Sequence, residues 1–373
     1  GVNVIKGEAR ITGPWTVEVD GREISTRHII VAAGAQPFVP PIPGIDQVGY
    51  YTSDTIWELE ELPERMVVLG GGPIGCELAQ SFARFGSRVT QVEMLPRIMA
   101  VEDEDIGSFV SDRLTAEGVD IRTGHKATAF EIRDGGKTLV CDHDGEEVRI
   151  PFDAVLVAVG RAARTSDYGL DKLGIPLTRR GTIETDAYLQ TRIPTIYACG
   201  DVVGPYQFTH AAAHQAWHAT VNALFGAFKR FKVDYSVLPH ATFTDPEVAR
   251  VGLSEDEARR EEVEYEVTRY DLAELDRAIA EGEGHGMVKV LTVPGKDRIL
   301  GATIVGEHAG DLIAEFALAM RHRIGLNKIL GTVHAYPTLA EATKFAAGEW
   351  KRAHAPQSAL RWLERFHGWQ RGS

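Results

Sequence analysis

The sequence predicts an α/β chain: a strand–turn–helix–strand unit of Rossmann type within a longer α/β region, then a separate α+β domain. Three observations carry this prediction. Gly70, Gly72 and Gly75 follow the apolar run Met66-Val67-Val68-Leu69 and precede a helix-like stretch. Glu93 ends a second strand-like run, Ser87-Arg88-Val89-Thr90-Gln91-Val92, eighteen residues after Gly75. From about Val233 the pattern changes to a group of strands and then helical runs.

The elements follow in order. Trp15-Thr16-Val17-Glu18-Val19 and Glu23-Ile24 flank Asp20-Gly21, a hairpin signal. His28–Gly34 reads as a buried strand ending at a glycine. Residues 37–44 hold four prolines and one glycine and form a rigid, extended connection. The Rossmann unit starts near residue 63, and its second helix-like run is Asp105–Glu117. Strands are expected at 119–132, 137–142 and 146–150, with turns at Asp134-Gly135-Gly136 and Asp144-Gly145. Asp153–Gly160 is a continuous apolar strand, of the kind buried on both faces. Thr195–Asp201 is a strand ending in an acid, and His210–Phe225 is an alanine-rich helix. Further strands are expected around 240–253, 263–270, 285–293 and 298–305, with helices at 255–260, 308–322, 325–331 and 338–353.

The glycine spacing has a chemical meaning. Gly70 permits a tight turn, Gly72 lets backbone N–H groups approach a pyrophosphate, and Gly75 lets helix and strand pack closely. The helix N-terminus then faces the phosphate charge. Glu93 can accept hydrogen bonds from a ribose 2′-OH and would repel a 2′-phosphate. No arginine follows it before Arg97, so NADH is favoured over NADPH. The bland alternatives are a structural glycine turn and a solvated strand-end acid.

Composition narrows the function classes. The chain has 373 residues, 44% hydrophobic and 25% charged, ordinary for a soluble globular protein. Its formal charge of -13, without a long basic run, argues against nucleic-acid binding. No segment has the length and apolarity of a membrane span. Membrane association is not expected, and a cytoplasmic location is. Cys76, Cys141 and Cys199 match no zinc or disulfide framework, and none forms CxxC or CxxxxC. His210, His214 and His218 have helical spacing, but no carboxylate or cysteine completes a metal patch.

Together these segments resemble the pyridine nucleotide–disulfide oxidoreductases, with dihydrolipoamide dehydrogenase and mercuric reductase the most similar types. Besides the Gly70–Gly75 turn with Glu93, the matching segments are Ile29–Gly34, Val157-Ala158-Val159-Gly160-Arg161 and Tyr197–Val202. Ala241–Glu247 and His334-Ala335-Tyr336-Pro337-Thr338-Leu339-Ala340-Glu341 complete the set. The resemblance implies the rear part of an FAD-binding domain at 1–62 and 161–235, and an NAD-binding domain at 63–160. It further implies a C-terminal dimerisation domain at 236–355 and a tail at 356–373. On the family pattern, a front FAD-binding glycine turn and a CxxxxC redox disulfide are missing. The expectation is therefore a fragment with a partial FAD domain: the NADH-binding and dimerisation portion of an enzyme that passes electrons through FAD to a disulfide or related acceptor. FAD would be weak or absent in this chain, and the isolated chain inactive. The alternatives are an inert dinucleotide-binding and dimerisation module, or an NADH oxidase-like flavoprotein without a redox disulfide.

The resemblance also implies roles for residues. Asp201 would bond the flavin's ribityl chain, with Phe208, Thr209 and His210 near the ring and Gly160 among the cofactor contacts. Tyr336 stands where lipoamide-type enzymes carry their acid/base histidine, and Glu341 where they carry its orienting glutamate. With an ordinary pKa near 10, tyrosine is a poor base at neutral pH but a good hydrogen-bond donor. His334, two residues earlier, is a candidate substitute proton carrier, the alternative being a satisfied or solvated histidine. Mercuric reductases share the tyrosine, but the paired C-terminal cysteines they use for metal capture have no counterpart here. A homodimer is expected, with a small-molecule or disulfide acceptor. The tail, with Trp362, Phe366 and Trp369 between arginines, has the pattern of an amphipathic helix.

Overall fold

The computed structural model describes residues 1–372. The chain forms two compact units. Among the described residues, one comprises residues 1–61 and 156–235, the other residues 62–155 and those from 236 onward.

In the first unit, Thr16–Val19 and Arg22–Ser25 form the expected hairpin. Asp20 and Gly21, both at positive φ, turn it as a two-residue loop requires. Ala9–Gly13 adds a third antiparallel strand. Ile29–Val31 pairs in parallel with Ile196–Ala198, each residue 167 positions from its partner in sequence. The continuous apolar runs 29–31 and 196–198 have this reason: Ile29, Val31, Ile196 and Ala198 share one core with Ile11, Leu170, Ile175 and Ile183. Tyr197 and Cys199 face the other way, into a second core under the helix Thr209–Phe225 with Ala219 and Ala223.

In the second unit, Arg65–Leu69, Arg88–Val92 and Asp120–Arg122 form a parallel sheet. Met66, Val67 and Val68 are almost wholly buried. The helix Pro73–Phe85 begins with proline at its first turn, where no N–H is needed, and ends at Gly86 in the left-handed conformation. Helix Glu104–Ala116 follows the second strand. The strand expected at 119–132 divides: Asp120–Arg122 joins the parallel sheet, while Lys126–Arg133 forms an antiparallel sheet with Gly136–His143 and Glu146–Phe152.

The C-terminal part of this unit is a five-stranded antiparallel sheet in the order 240–242, 247–252, 299–306, 287–292, 266–271. Helix Ala309–Arg321 packs on strands Glu247–Gly252 and Ile299–Gly306, and helix Glu341–Ala353 on Glu266–Asp271 and Met287–Thr292. Val288, Val290, Ile304, Phe316 and Trp350 lie in one core between them. Two elements differ from expectation. The strand region at 240–253 is broken by the turn at Phe243–Pro246, and a short helix, Asp276–Glu281, closes at Gly282 in the left-handed conformation. The tail helix Gln357–Gln370 forms as its pattern suggests, with no buried residue.

Candidate functional site

The glycine turn joins the end of Arg65–Leu69 to the helix Pro73–Phe85. Gly70 has φ +120°, which only glycine adopts freely. Its carbonyl accepts from the buried Gln91 side chain at 3.0 Å. A Cβ on Gly75 would lie 2.2 Å from that same carbonyl oxygen, so helix and turn touch only because Gly75 has no side chain. A Cβ on Gly72 would meet nothing within 4 Å. Gly72 thus borders open space at the helix N-terminus, which no side chain caps. Its unfilled donors and dipole suit an anion.

Glu93 meets this turn. Its Oε2 accepts from the Gly71 N–H at 2.6 Å, and its Oε1 from the Leu95 N–H at 2.7 Å. Each oxygen keeps a lone pair for a further donor. The residues therefore fit a dinucleotide: an open cradle for the pyrophosphate beside a fixed carboxylate for a ribose hydroxyl. Gly71 was not singled out by sequence. A Cβ there would sit 2.9 Å from Ile98 and 3.0 Å from Glu93, so its smallness is what lets the carboxylate reach the turn. Glu77 was also missed. It accepts from the Phe243 N–H at 2.8 Å, and burial pushes its carboxyl above the usual range.

In the first unit, Asp201 lies in the single turn Gly200–Val202 at the end of strand Ile196–Ala198 and is half-buried. Gln215 fixes this turn: its Oε1 accepts from Gly200 N–H at 2.6 Å, and its Nε2 donates to Gly204 O at 3.2 Å and Tyr235 Oη at 2.8 Å. Gln215 is fully buried, and its only mark in the sequence is an amide among the alanines of this helix. Phe208 precedes and Thr209 and His210 open the helix Thr209–Phe225, which has no side-chain cap. The Phe208 and His210 rings stack at 5.3 Å. An uncapped helix start and a half-buried carboxylate fit the electron-rich end and the hydroxyl chain of a flavin. Gly160, at φ +128°, accepts through its carbonyl from Phe38 N–H at 2.9 Å.

The three C-terminal candidates have separate partners. Tyr336 is 71% exposed and donates to Asp276 Oδ2 at 3.1 Å. That hydrogen bond raises the phenol pKa, so Tyr336 is held as a donor. His334 has Nε2 3.0 Å from Glu315 and Nδ1 3.1 Å from the Thr332 carbonyl, and Thr343 also donates to Glu315. Glu341 is buried and accepts from the Thr338 N–H at 3.4 Å. The pairings of Asp276 and Glu315, 60 and 19 residues from their partners, could not be read from sequence.

The three cysteines lie apart on separate elements: Cys76 in the glycine-turn helix, Cys141 in a hairpin strand and Cys199 beyond Ile196–Ala198. All are buried and unpaired. Burial pushes the Cys76 thiol up to about 12 and the Cys141 thiol to about 11, and raises Cys199 as well. None is a thiolate near neutral pH. Asp103, Asp105 and Glu255 bring carboxylates within 4.8 Å of one another, and Lys289 Nζ lies among them at 2.6, 2.6 and 3.3 Å.

Residues 1–216 match the family model described as pyridine nucleotide-disulphide oxidoreductase, and residues 238–347 match that family's dimerisation domain. A dihydrolipoyl dehydrogenase of Chlamydia pneumoniae is 36% identical over 344 residues, 91% of this chain and 73% of that protein. A mercuric reductase of Staphylococcus aureus is 35% identical, over 93% of this chain and 63% of its own length. Among solved structures, the HOCl-induced flavoprotein disulfide reductase RclA from Escherichia coli superposes with TM-score 0.85 at 30% identity, covering 93% of this chain and 79% of that one.

These matches and the cysteines correct several expectations. The nucleotide-binding model runs from residue 1 to 216, so neither a missing FAD-binding segment nor a partial FAD domain describes residues 1–62 and 161–235. Physically, those residues enclose two apolar cores of their own. The expectation of weak or absent FAD rested on that reading and falls with it, as does that of an inactive chain. Electron transfer to a disulfide as the main function is corrected too, because the three cysteines offer no pair.

Proposed function

Because the chain belongs to the pyridine nucleotide-disulphide oxidoreductases, a family of FAD-dependent enzymes, we propose that it oxidises NADH as a flavoprotein without a redox disulfide. The observation that carries this reading is the state of the cysteines: three buried, separate thiols, each held protonated. FAD, when bound, supplies the two-electron chemistry between nicotinamide and acceptor. The acceptor is then a small molecule, such as oxygen or a quinone-like dye, reduced without a thiol relay.

The chain's own residues bind, orient and donate. Gly70, Gly72 and Gly75 shape the turn that takes the NADH pyrophosphate at the start of Pro73–Phe85. Glu93 holds the ribose hydroxyls and disfavours a 2′-phosphate. Asp201 holds the flavin's hydroxyl chain, kept in place by Gln215. The start of Thr209–Phe225, with Phe208 and His210, stabilises negative charge on the flavin ring through the helix N-terminus. Gly160 gives the cofactor close access to the backbone. Tyr336, tied to Asp276, acts as a hydrogen-bond donor on the acceptor side rather than as a base. His334, with both ring nitrogens engaged, and Glu341 hold the segment that presents Tyr336.

The test uses the purified, FAD-loaded chain. NADH consumption with oxygen or a dye should persist in the Cys76→Ala/Cys141→Ala/Cys199→Ala protein, and a dithiol-linked disulfide substrate should not be reduced by either form. Loss of NADH oxidation in a cysteine-free protein that still binds FAD would sink the thiol-independent route.

A further inference from the structure

The loop after Glu93 returns to the glycine turn. At one end Glu93 accepts from the Gly71 N–H at 2.6 Å, and at the other the Met99 N–H donates to the Gly71 carbonyl at 2.7 Å. A side chain on residues 94–98 is therefore anchored beside the carboxylate that faces the ribose. One cation stands on that loop, Arg97. A guanidinium is the group that best recognises a phosphate, through a planar fork of donors.

Arg97 is bound elsewhere. Its Nη2 donates to the Glu102 carbonyl at 2.8 Å and the Ala100 carbonyl at 3.4 Å, and pairs with Asp256 Oδ2 at 3.1 Å. Its stem packs against the helix at Gly107, where an added Cβ would lie 3.8 Å from Arg97 Cδ, ordinary contact distance. Asp256 is itself held. Its N–H donates to Asp103 Oδ1 at 3.0 Å, and its Oδ1 accepts from Arg259 at 2.8 Å.

We infer that Asp256 is a specificity-determining residue for the nucleotide site: a latch that keeps Arg97 from a 2′-phosphate. This rests on the proposed reading of Gly70–Glu93 as the NADH site. Discrimination then has two separate sources, repulsion by Glu93 and withholding of Arg97 by Asp256. Selectivity built against the wrong ligand commonly takes this form. Asp256 belongs to the C-terminal part of the chain, so the choice of nucleotide is set partly outside the Rossmann unit.

The experiment measures Kd for NADH and NADPH by calorimetry on the full chain. The variants are Glu93→Gln, Glu93→Gln/Asp256→Ala, and the same pair with Arg97→Ala. Glu93→Gln should narrow the preference for NADH. Adding Asp256→Ala should tighten NADPH roughly tenfold, the worth of one charge-assisted hydrogen bond. Arg97→Ala should abolish that gain. Should Asp256→Ala fail to fold, Asp256→Asn on the same background keeps an acceptor and should give a smaller gain of the same sign. NADPH affinity unchanged by either Asp256 substitution while NADH still binds would overturn the latch, as would a gain that survives Arg97→Ala. Binding of neither nucleotide by the wild-type chain would overturn the site reading instead.

Discussion

Gly72 and Gly75 separate two reasons for a glycine. At Gly75 the reason is internal, since a Cβ would lie 2.2 Å from the Gly70 carbonyl oxygen. Gly75→Ala should therefore destabilise the fold by about 1–3 kcal/mol, as overpacking does, and lose NADH binding with it. At Gly72 the added Cβ meets no protein atom, and its φ of -78° suits any residue. Gly72→Ala should leave the denaturation midpoint unchanged and weaken NADH at least roughly tenfold, because the methyl occupies the approach to the phosphates. Chemical denaturation and calorimetry on both variants check the pair; equal loss of stability in both would refute the distinction. At this scale sequence was informative where chemistry is local. Gly70, Gly72, Gly75 and Glu93 announce themselves by spacing along one βαβ unit. Gln215, Asp276, Glu315 and Asp256 do not, because only folding brings their partners to them, and Gly71 does not because it stands outside the glycine spacing of the turn.

At the scale of elements, the entry to helix Glu104–Ala116 carries four acids in a row, of which Glu102 and Asp103 are buried, Asp105 is half-buried and Glu104 is exposed. Glu102 pairs with Arg250 at 2.8 Å and His240 at 2.9 Å, while Asp103 and Asp105 meet Lys289, which is 0% exposed. The Asp103 carboxylate also accepts from the N–H groups of Glu255 and Asp256 at the start of the next helix. Burial alone would raise the pKa of all three acids. The hydrogen bonds and charges of His240 and Arg250, of Lys289 and the backbone, and of Lys289 and Arg269 outweigh it, so all three are lowered. A lowered folded-state pKa gives stability that is present above the unfolded value, about 4, and lost as pH falls through the folded one. The chain should thus lose stability steeply on acidification below about pH 4. Lys289→Met should cost about 3 to 5 kcal/mol near neutral pH, since it strands buried carboxylates, and should flatten that acid limb. Melts across pH check both, and an unchanged acid limb in Lys289→Met would contradict the assignment. Periodicity made most strands and helices here legible. It could not show that Glu102, Asp103 and Asp105 meet His240, Arg250 and Lys289, which lie more than a hundred residues further along the chain.

At the scale of the molecule, the chain carries the family's dimerisation domain at residues 238–347 and forms a homodimer. Among the described residues no helix is long and apolar enough to cross a membrane. The tail helix Gln357–Gln370 lies beyond both family matches, with Trp362, Leu363 and Trp369 exposed. The buried ionic junction between residues 102–105 and the C-terminal sheet has a thermodynamic consequence. Two regions joined by charges that cannot be bared singly share one opening reaction rather than two. A ligand that stabilises one by mass action must then protect the other. NADH added to the purified protein should slow amide hydrogen exchange in Met287–Thr292 as well as around Gly70–Gly75, and calorimetry should show both regions melting in a single step. In Lys289→Met that protection should retreat to the glycine turn alone, so the dimerisation sheet would no longer register whether the nucleotide is bound.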